Sequence, residues 1–234
     1  MHLVEGGLEY ILIMDKKKEY LKQIAQDMVE HLPTMPDNIS ISTREMLTLM
    51  GGSVLREDDL FDLDDLFRKK AQKKGYIVDM SEHTGLAEGL PYNLDATFRN
   101  KKALLSKFAS LPEKEVVTSD GGRYYIKEFV ETYVGEEDEE GKSFTEERLL
   151  QLYIIPPHQS TGKIVAGKHR ITFYTIRGKG DLEYKHENME FMKKLYYNKT
   201  AELFDFGFTI KNTSDKNLVL FVVDIDDSQY FQPV

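Results

Sequence analysis

Cysteine is absent from the 234 residues of this chain. A disulfide framework, a zinc–thiolate site, an iron–sulfur cluster and a cysteine nucleophile are therefore excluded. No apolar run approaches the roughly 18 residues that a membrane-spanning helix needs, so we expect no membrane partner. Hydrophobic residues nevertheless make up 41% of the chain, which is enough for a folded core.

The common nucleotide and metal motifs are missing as well. The nearest match to a phosphate-binding loop, residues 135–143, has five residues between its glycines where that loop has four, and all five are acidic. A phosphate brought there would meet several like charges, so an exposed acidic loop is the better interpretation. The histidines show no spacing typical of a metal pair. We predict neither a metal nor a cofactor.

Basic residues are outnumbered by acidic ones, and the net charge is −9. Bulk charge therefore does not favour binding to a polyanion. Residues 1–13 contain an apolar patch without a basic region before it or a cleavage pattern after it, so we expect no secretory signal there. We predict that this segment is an upstream extension or a loosely attached strand, and that the protein is soluble and cytoplasmic.

The first half of the chain shows helical periodicity. Apolar residues spaced for one helix face predict a helix over residues 15–31. Ser42 and Glu45 form an S-x-x-E capping box that begins a short helix. A third helix is predicted over residues 59–74, with Gly75 at its C-terminal cap, then a strand over residues 76–80. A fourth helix is predicted over residues 94–109, with Phe98 facing inward and Arg99 facing outward.

The second half favours strands. Asp120-Gly121 predicts a hairpin turn, because both residue types suit a positive φ. The apolar run over residues 218–223 is typical of a central strand. Further strands are predicted over residues 164–177 and 181–186, as a hairpin around a glycine turn, and over residues 204–210. Two helices are expected among them, one from a second capping box at Ser143 and Glu146 through Leu152, and one over residues 189–197.

These patterns predict an α+β protein with a helical N-terminal half followed by a mainly antiparallel β C-terminal half. We predict a mainly helical subdomain over residues 14–112 and a β-rich subdomain over residues 113–234. The two subdomains pack as one domain or as two; the sequence leaves both arrangements open.

The first candidate site is a loop with glycines that follows the strand over residues 76–80. His83 is a candidate general base there, with Glu82 or Asp79 beside it. The alternative is a loop histidine held by backbone hydrogen bonds. Acids from the end of the 218–223 strand, Asp224, Asp226 and Asp227, are the distant carboxylates that the fold could bring to this site, although solvated turn acids are the simpler interpretation.

The second candidate is a basic stretch over residues 157–200, with nine Lys or Arg against four acids and interleaved aromatics. Such a stretch can neutralise phosphates and stack on bases, or it can be an ordinary solvated face. The candidate ligand-binding residues are Lys163, Lys168, Arg170, Tyr174, Arg177 and Tyr184.

Because no catalytic motif is complete, the leading functional prediction is a non-enzymatic binding or regulatory module. The alternative is a hydrolase or nucleic-acid-processing enzyme whose site is assembled from Asp79, Glu82, His83 and distant acids. The expected partners are another protein or a second copy of this chain. The basic stretch and the acidic residues 136–140 could attract each other. A nucleic acid or another polyanion is the less favoured partner.

Overall fold

The computed structural model describes residues 5–52, 55–79, 96–137, 143–165, 169–186, 189–204 and 207–226. The chain divides into two compact units, Met1–Leu105 and Ser106–Val234. Helices dominate the first unit and antiparallel strands the second, which confirms the α+β class. Within the described residues, no helix has both the length and the apolarity needed to cross a bilayer.

The first unit combines helices with a small sheet. Its elements are α1 Glu5–His31, a single 3₁₀ turn Leu32–Thr34, β1 Asn38–Ile41, α2 Thr43–Leu49, α3 Glu57–Lys73, β2 Tyr76–Asp79, β3 Ala96–Asn100 and α4 Lys101–Ala109, which crosses into the second unit. Residues 5–13 thus belong to a helix and not to a strand.

The core of this unit lies between α1, α3 and one face of the sheet. The predicted apolar face of α1 is confirmed for Ala25 and Met28, which are fully buried with Phe67 of α3, whereas Tyr20 at its start is 56% exposed. Phe67 also packs on Phe98 of the sheet, with ring centroids 4.7 Å apart. Burial of these apolar faces supplies most of the stability of such helices.

Both predicted helix ends in this unit are confirmed. Ser42 accepts a hydrogen bond from the Glu45 backbone N–H, and the Glu45 carboxylate accepts one from the Ser42 backbone N–H. This reciprocal pair satisfies two backbone donors that a helix N-terminus leaves open. At the end of α3, Gly75 has a φ of +97°, a conformation that costs glycine little.

The helix predicted over residues 94–109 is wrong in its first part, because residues 96–100 form β3. This strand is the middle of the sheet β1-β3-β2 and pairs antiparallel with both neighbours. Helical periodicity continues only in α4. Pairing on both edges outweighs the local helical pattern.

The described residues of the second unit form two antiparallel sheets. Its strands are β4 Lys114–Val117, β5 Arg123–Glu137, β6 Ser143–Ile155, β7 His169–Arg177, β8 Lys179–His186, β9 Met189–Tyr196, β10 Thr200–Phe204, β11 Phe208–Asn212 and β12 Leu218–Asp226. The larger sheet has the order β10-β7-β12-β6-β5-β4, and the smaller one the order β11-β8-β9. The predicted turn at Asp120-Gly121 joins β4 to β5, and β12 is a central strand as expected.

Side chains from both sheets form one apolar core, so the two sheets face each other. Phe173 of β7, Leu220 of β12, Leu182 of β8 and Ile210 of β11 belong to this core. We call the face of the larger sheet that carries Phe173 and Leu220 the inner face. The opposite, outer face is covered in part by α4, whose Phe108 ring lies 5.1 Å from Phe129 and 6.2 Å from Phe221.

Two predicted helices of this unit are strands. Residues 143–155 form β6, which lies between β5 and β12, and residues 189–196 form β9. Leu150 and Leu152 point to the outer face, while Tyr153 and Ile155 belong to the inner core. A strand covered on both faces has apolar residues at consecutive positions, so its periodicity resembles that of a helix.

The predicted hairpin over residues 164–186 is also wrong. β7 pairs with β10 and β12, whereas β8 pairs with β9 and β11, so the chain changes sheets at Gly178. Gly178 has a φ of +84°, and a Cβ there would lie 2.8 Å from the carbonyl oxygen of Asn217. Similarly, the single strand predicted over residues 204–210 is two strands, β10 and β11, in different sheets.

Candidate functional site

The inner face of the larger sheet changes from apolar to polar along three neighbouring strands. On β5, Ile126 is followed by Glu128; on β6, Gln151 precedes Tyr153; on β12, Asp224 follows Val222. These positions share one face because residues two apart in a strand point to the same side. The polar side chains therefore lie next to the inner positions that form the core.

Register brings these polar groups close to one another. Glu128 is the direct cross-strand partner of Gln151, whose Nε2 donates a hydrogen bond of 2.9 Å to the carboxylate Oε2 of Glu128. The rings of Tyr124 and Tyr153 lie 5.2 Å apart at 42°. We call this group the tyrosine–carboxylate cluster; its members are Tyr124, Glu128, Gln151, Tyr153 and Asp224.

Exposure differs strongly within the tyrosine–carboxylate cluster. Gln151 and Tyr153 are buried, Asp224 is half-buried, and Glu128 is open to solvent. Beside Glu128 on the same face, Val130 is 56% exposed. The cluster thus reaches from the edge of the core to solvent, and an apolar side chain lies at its exposed end.

Electrostatics keep the phenols of the cluster protonated. Burial raises the pKa of the Tyr153 hydroxyl far above its ordinary value. Tyr124 and, after it, the carboxylates of Asp224 and Glu128 raise this pKa further. Burial and then Glu128 also raise the pKa of Tyr124. Desolvation and negative neighbours both disfavour a phenolate, so each tyrosine remains a neutral hydrogen-bond donor near pH 7.

The cluster can hold a positively charged group. Within the part of the chain that the structure describes, no Lys or Arg forms an ion pair with Glu128, whose side chain accepts only from the neutral amide of Gln151. A carboxylate with a fixed orientation beside tyrosine rings attracts a cation. Among the described residues, no group of three or more His, Cys, Asp or Glu side chains could hold a metal ion.

The first sequence candidate lies in the other unit. Asp79 is the last residue of β2 and is fully buried; Glu82 and His83 lie outside the described residues. Thr97 faces Asp79, and Arg99 faces Ile77. Ile77, Asp79, Thr97 and Arg99 lie on the sheet face opposite to Phe98. Arg99, expected to face outward from a helix, is 2% exposed on this strand.

Asp79 and Arg99 therefore place opposite charges on one buried face. Asn38 and Ser40 of β1 belong to the same face, since they pair with Arg99 and Thr97. A catalytic role for Asp79 with Glu82 and His83 stays a prediction. Asp224 belongs to the tyrosine–carboxylate cluster, whereas Asp227 lies outside the described residues.

The second sequence candidate, the basic stretch, is distributed over different surroundings. Arg170 and Tyr174 are buried on the outer face of β7, and the Tyr174 ring lies 5.8 Å from that of Phe221. Lys163 and Arg177 are exposed, and Lys168 lies outside the described residues.

Tyr184 completes the candidate set and is half-buried. It stacks on Phe191 with ring centroids 5.3 Å apart, and the Lys193 ammonium lies 5.5 Å from its ring. Because Arg170 and Tyr174 are buried, the described candidates do not share one exposed surface. Ligand binding by this set stays a prediction.

Glu128, Gln151 and Tyr153 were not predicted as site residues from the sequence. The alternation of Tyr124, Ile126 and Glu128 was an available signal, since it moves from apolar to acidic on one face. The other half of the cluster, Gln151 and Tyr153, could not be recognised, because the sequence predicts a helix from Ser143. A helix would not place Gln151 opposite Glu128.

Comparisons with known proteins give distant similarities. No protein-family model matches the sequence, and no curated protein matches it. A "predicted oxalate decarboxylase" from Thermotoga maritima superimposes with a TM-score of 0.38 and 12% identity, over 50% of this chain and 95% of that chain.

Two structures of Drosophila melanogaster CENP-C are also similar. CENP-C bound to CAL1 has a TM-score of 0.36 and 18% identity, over 50% of this chain and 81% of that chain. The CENP-C cupin domain has a TM-score of 0.35 and 19% identity, over 49% of this chain and 70% of that chain. Scores this low assign neither a shared fold nor a function to this chain.

Proposed function

We propose that this protein is a non-enzymatic binding module whose β-rich unit takes up a small organic cation at the tyrosine–carboxylate cluster. The observation that carries the proposal is the hydrogen bond between Gln151 and Glu128. It orients a solvent-exposed carboxylate that no described Lys or Arg neutralises.

Binding agrees with the protonation of the cluster better than catalysis does. A general base needs a pKa near the working pH, and the pKa of Tyr153 is shifted in the opposite direction. The neutral phenol supplies a hydrogen-bond donor and an aromatic surface, and the carboxylates beside it supply acceptors. These are the groups that orient a ligand in a binding site.

The ligand class follows from the charges and the apolar rim. The carboxylate of Glu128 favours an ammonium group, and the exposed Val130 offers apolar contact to the rest of the molecule. An amine with a short aromatic or aliphatic body fits both features. A neutral molecule of the same shape would leave the carboxylate of Glu128 without a charged partner.

The test uses tyramine as the probe and tyrosol, its alcohol counterpart, as the neutral control. Saturation-transfer NMR on the full chain should detect tyramine and not tyrosol. Glu128→Gln should weaken tyramine binding about tenfold, because one charge-assisted contact is lost. The matched control is Glu113→Gln, which removes a carboxylate from the segment before β4.

The proposal is wrong if tyramine and tyrosol bind equally, or if Glu113→Gln weakens tyramine binding as much as Glu128→Gln does. Either result would assign the effect to general charge or to apolar contact. Circular dichroism of each variant checks that the strands are retained.

A further inference from the structure

A cavity of about 400 Å³ opens between α1 and α3 in the first unit. Five lysines line it: Lys22 from α1, with Lys69, Lys70, Lys73 and Lys74 from the end of α3. Gln26 and Leu66 complete the lining. Leu66, Lys69, Lys70 and Lys73 follow the i, i+3, i+4, i+7 spacing that places side chains on one helix face.

Three of the five lysines have no carboxylate partner among the described residues. Lys70 donates a hydrogen bond of 2.9 Å to Oε1 of Gln26, which is neutral. The side chains of Lys73 and Lys74 form neither an ion pair nor a hydrogen bond with described residues. The remaining two are paired at the rim, Lys22 with Glu19 and Lys69 with Asp65, at 2.5 Å each.

This local excess of positive charge contrasts with the net charge of −9. Basic residues at a helix C-terminus interact favourably with the negative end of the helix dipole, but that effect is limited to the last turn. Lys22 and Gln26 come from a different helix, so the dipole of α3 does not explain why they line the same cavity. Three lysines without a described carboxylate partner that line one cavity together with groups from a second helix suit an anion site.

We propose that this lysine-lined cavity binds the phosphate chain of a small di- or triphosphate compound. Lysine ammonium groups bind phosphate as compact point charges. Lys69 to Lys74 span about 7.5 Å along α3 at a rise of 1.5 Å per residue, which suits a chain of phosphates and not a single ion. A multivalent anion is needed because the negative net charge of the protein repels anions, and a single charge would gain too little at the cavity to offset this repulsion.

The lining also restricts what is recognised. Among the described lining residues, Leu66 is the apolar one and none has an aromatic ring on which a base would stack. Recognition is therefore directed to the phosphates. A nucleoside triphosphate and inorganic tripolyphosphate share this chemistry and should bind with similar affinity, whereas a nucleoside monophosphate should bind far more weakly.

The experiment measures binding of inorganic tripolyphosphate to the full chain by isothermal titration calorimetry at physiological ionic strength, with ATP and AMP as comparison ligands and no divalent cation. The variant Lys70→Gln/Lys73→Gln should weaken tripolyphosphate binding about tenfold, since solvent-exposed charge contacts are individually modest. Lys70→Arg/Lys73→Arg should retain binding within about threefold, because the charges remain.

The matched control is Lys16→Gln/Lys18→Gln, which removes the same charge from an exposed part of α1 outside the cavity. It should leave affinity unchanged. Equal weakening in this control would overturn the proposal, because bulk charge would then explain binding. Absence of tripolyphosphate binding, or AMP binding as tight as ATP, would overturn it as well. The amine-binding test concerns the other unit, so neither result decides the other.

Discussion

Gln151 and Glu128 are direct cross-strand partners on β6 and β5, and the amide of Gln151 donates to the carboxylate of Glu128 across 2.9 Å. The first residue is buried and the second exposed. One amide thus fixes the orientation of a carboxylate that faces solvent. This pair connects the apolar core of the β-rich unit to the surface where we propose that a cation binds.

Replacing the donor by a second carboxylate should destabilise this pair. Gln151→Glu places like charges opposite each other, which should lower the free energy of unfolding by about 1 kcal/mol at pH 7. Protonation near pH 4 should remove most of this difference. Urea unfolding at both pH values measures it. Gln159→Glu, in an exposed loop, is the control and should show no such pH-dependent difference.

Stability above pH 10 should depend on Tyr153. Burial raises the pKa of Tyr153 in the folded state above the unfolded value of 10.0. Its contribution to the free energy of unfolding is therefore fully present below pH 10 and is lost as the pH rises above 10. Between the unfolded and the folded pKa, one such tyrosine should lower the free energy of unfolding by about 1.4 kcal/mol per pH unit. Tyr153→Phe should flatten the dependence of unfolding free energy between pH 10 and 11. An unchanged slope would contradict the burial of this hydroxyl.

Two neighbouring glycines should respond very differently to alanine. A Cβ on Gly122 would lie 2.2 Å from the backbone nitrogen of Gly162, so Gly122→Ala should cost about 3 kcal/mol or more. Gly121 has a φ of +86° but open space around it, so Gly121→Ala should cost only about 1 kcal/mol. Thermal unfolding compares the two. Equal losses would mean that the loops carrying Gly122 and Gly162 do not pack as described.

The capping box should make a measurable contribution to the first unit. Ser42→Ala removes the acceptor for the Glu45 backbone N–H, and we expect a loss of about 1 kcal/mol in unfolding free energy. Thr48→Ala, which removes an exposed hydroxyl that bonds within α2, should cost less. Urea unfolding measures both variants. A larger effect at Thr48 would mean that the capping box does not hold this helix end.

Elements with a strong local signal were predictable. The amphipathic faces of α1 and α3, the cap at Ser42 and the turn at Asp120-Gly121 depend on residues close in sequence. The identity of β3, β6 and β9 as strands was not predicted, because their local periodicity resembles that of a helix. β3 pairs with β1 and β6 with β12, both far along the chain, whereas β6 also pairs with the preceding β5 and β9 pairs with the preceding β8.

The candidate sites show the same division. Asp224 was identified as an acid at a strand end, but its neighbours in the tyrosine–carboxylate cluster were not, since they depend on the pairing of β6. The lysines at the end of α3 are visible in the sequence, where the helix dipole is enough to explain them. Only the packing of α1 against α3 shows that Lys22 and Gln26 line the same cavity.

By itself, the sequence determined the absence of cysteine chemistry, the α+β class and the helix ends at Ser42 and Gly75, because composition is read directly and these helix ends depend on a few consecutive residues. The same S-x-x-E pattern at Ser143 and Glu146 lies in strand β6. Tertiary structure decided which strands pair, where the chain changes sheets at Gly178, and which side chains meet at Glu128 or around Lys70. Those outcomes depend on burial against partners far along the chain, and local periodicity does not encode the identity of those partners.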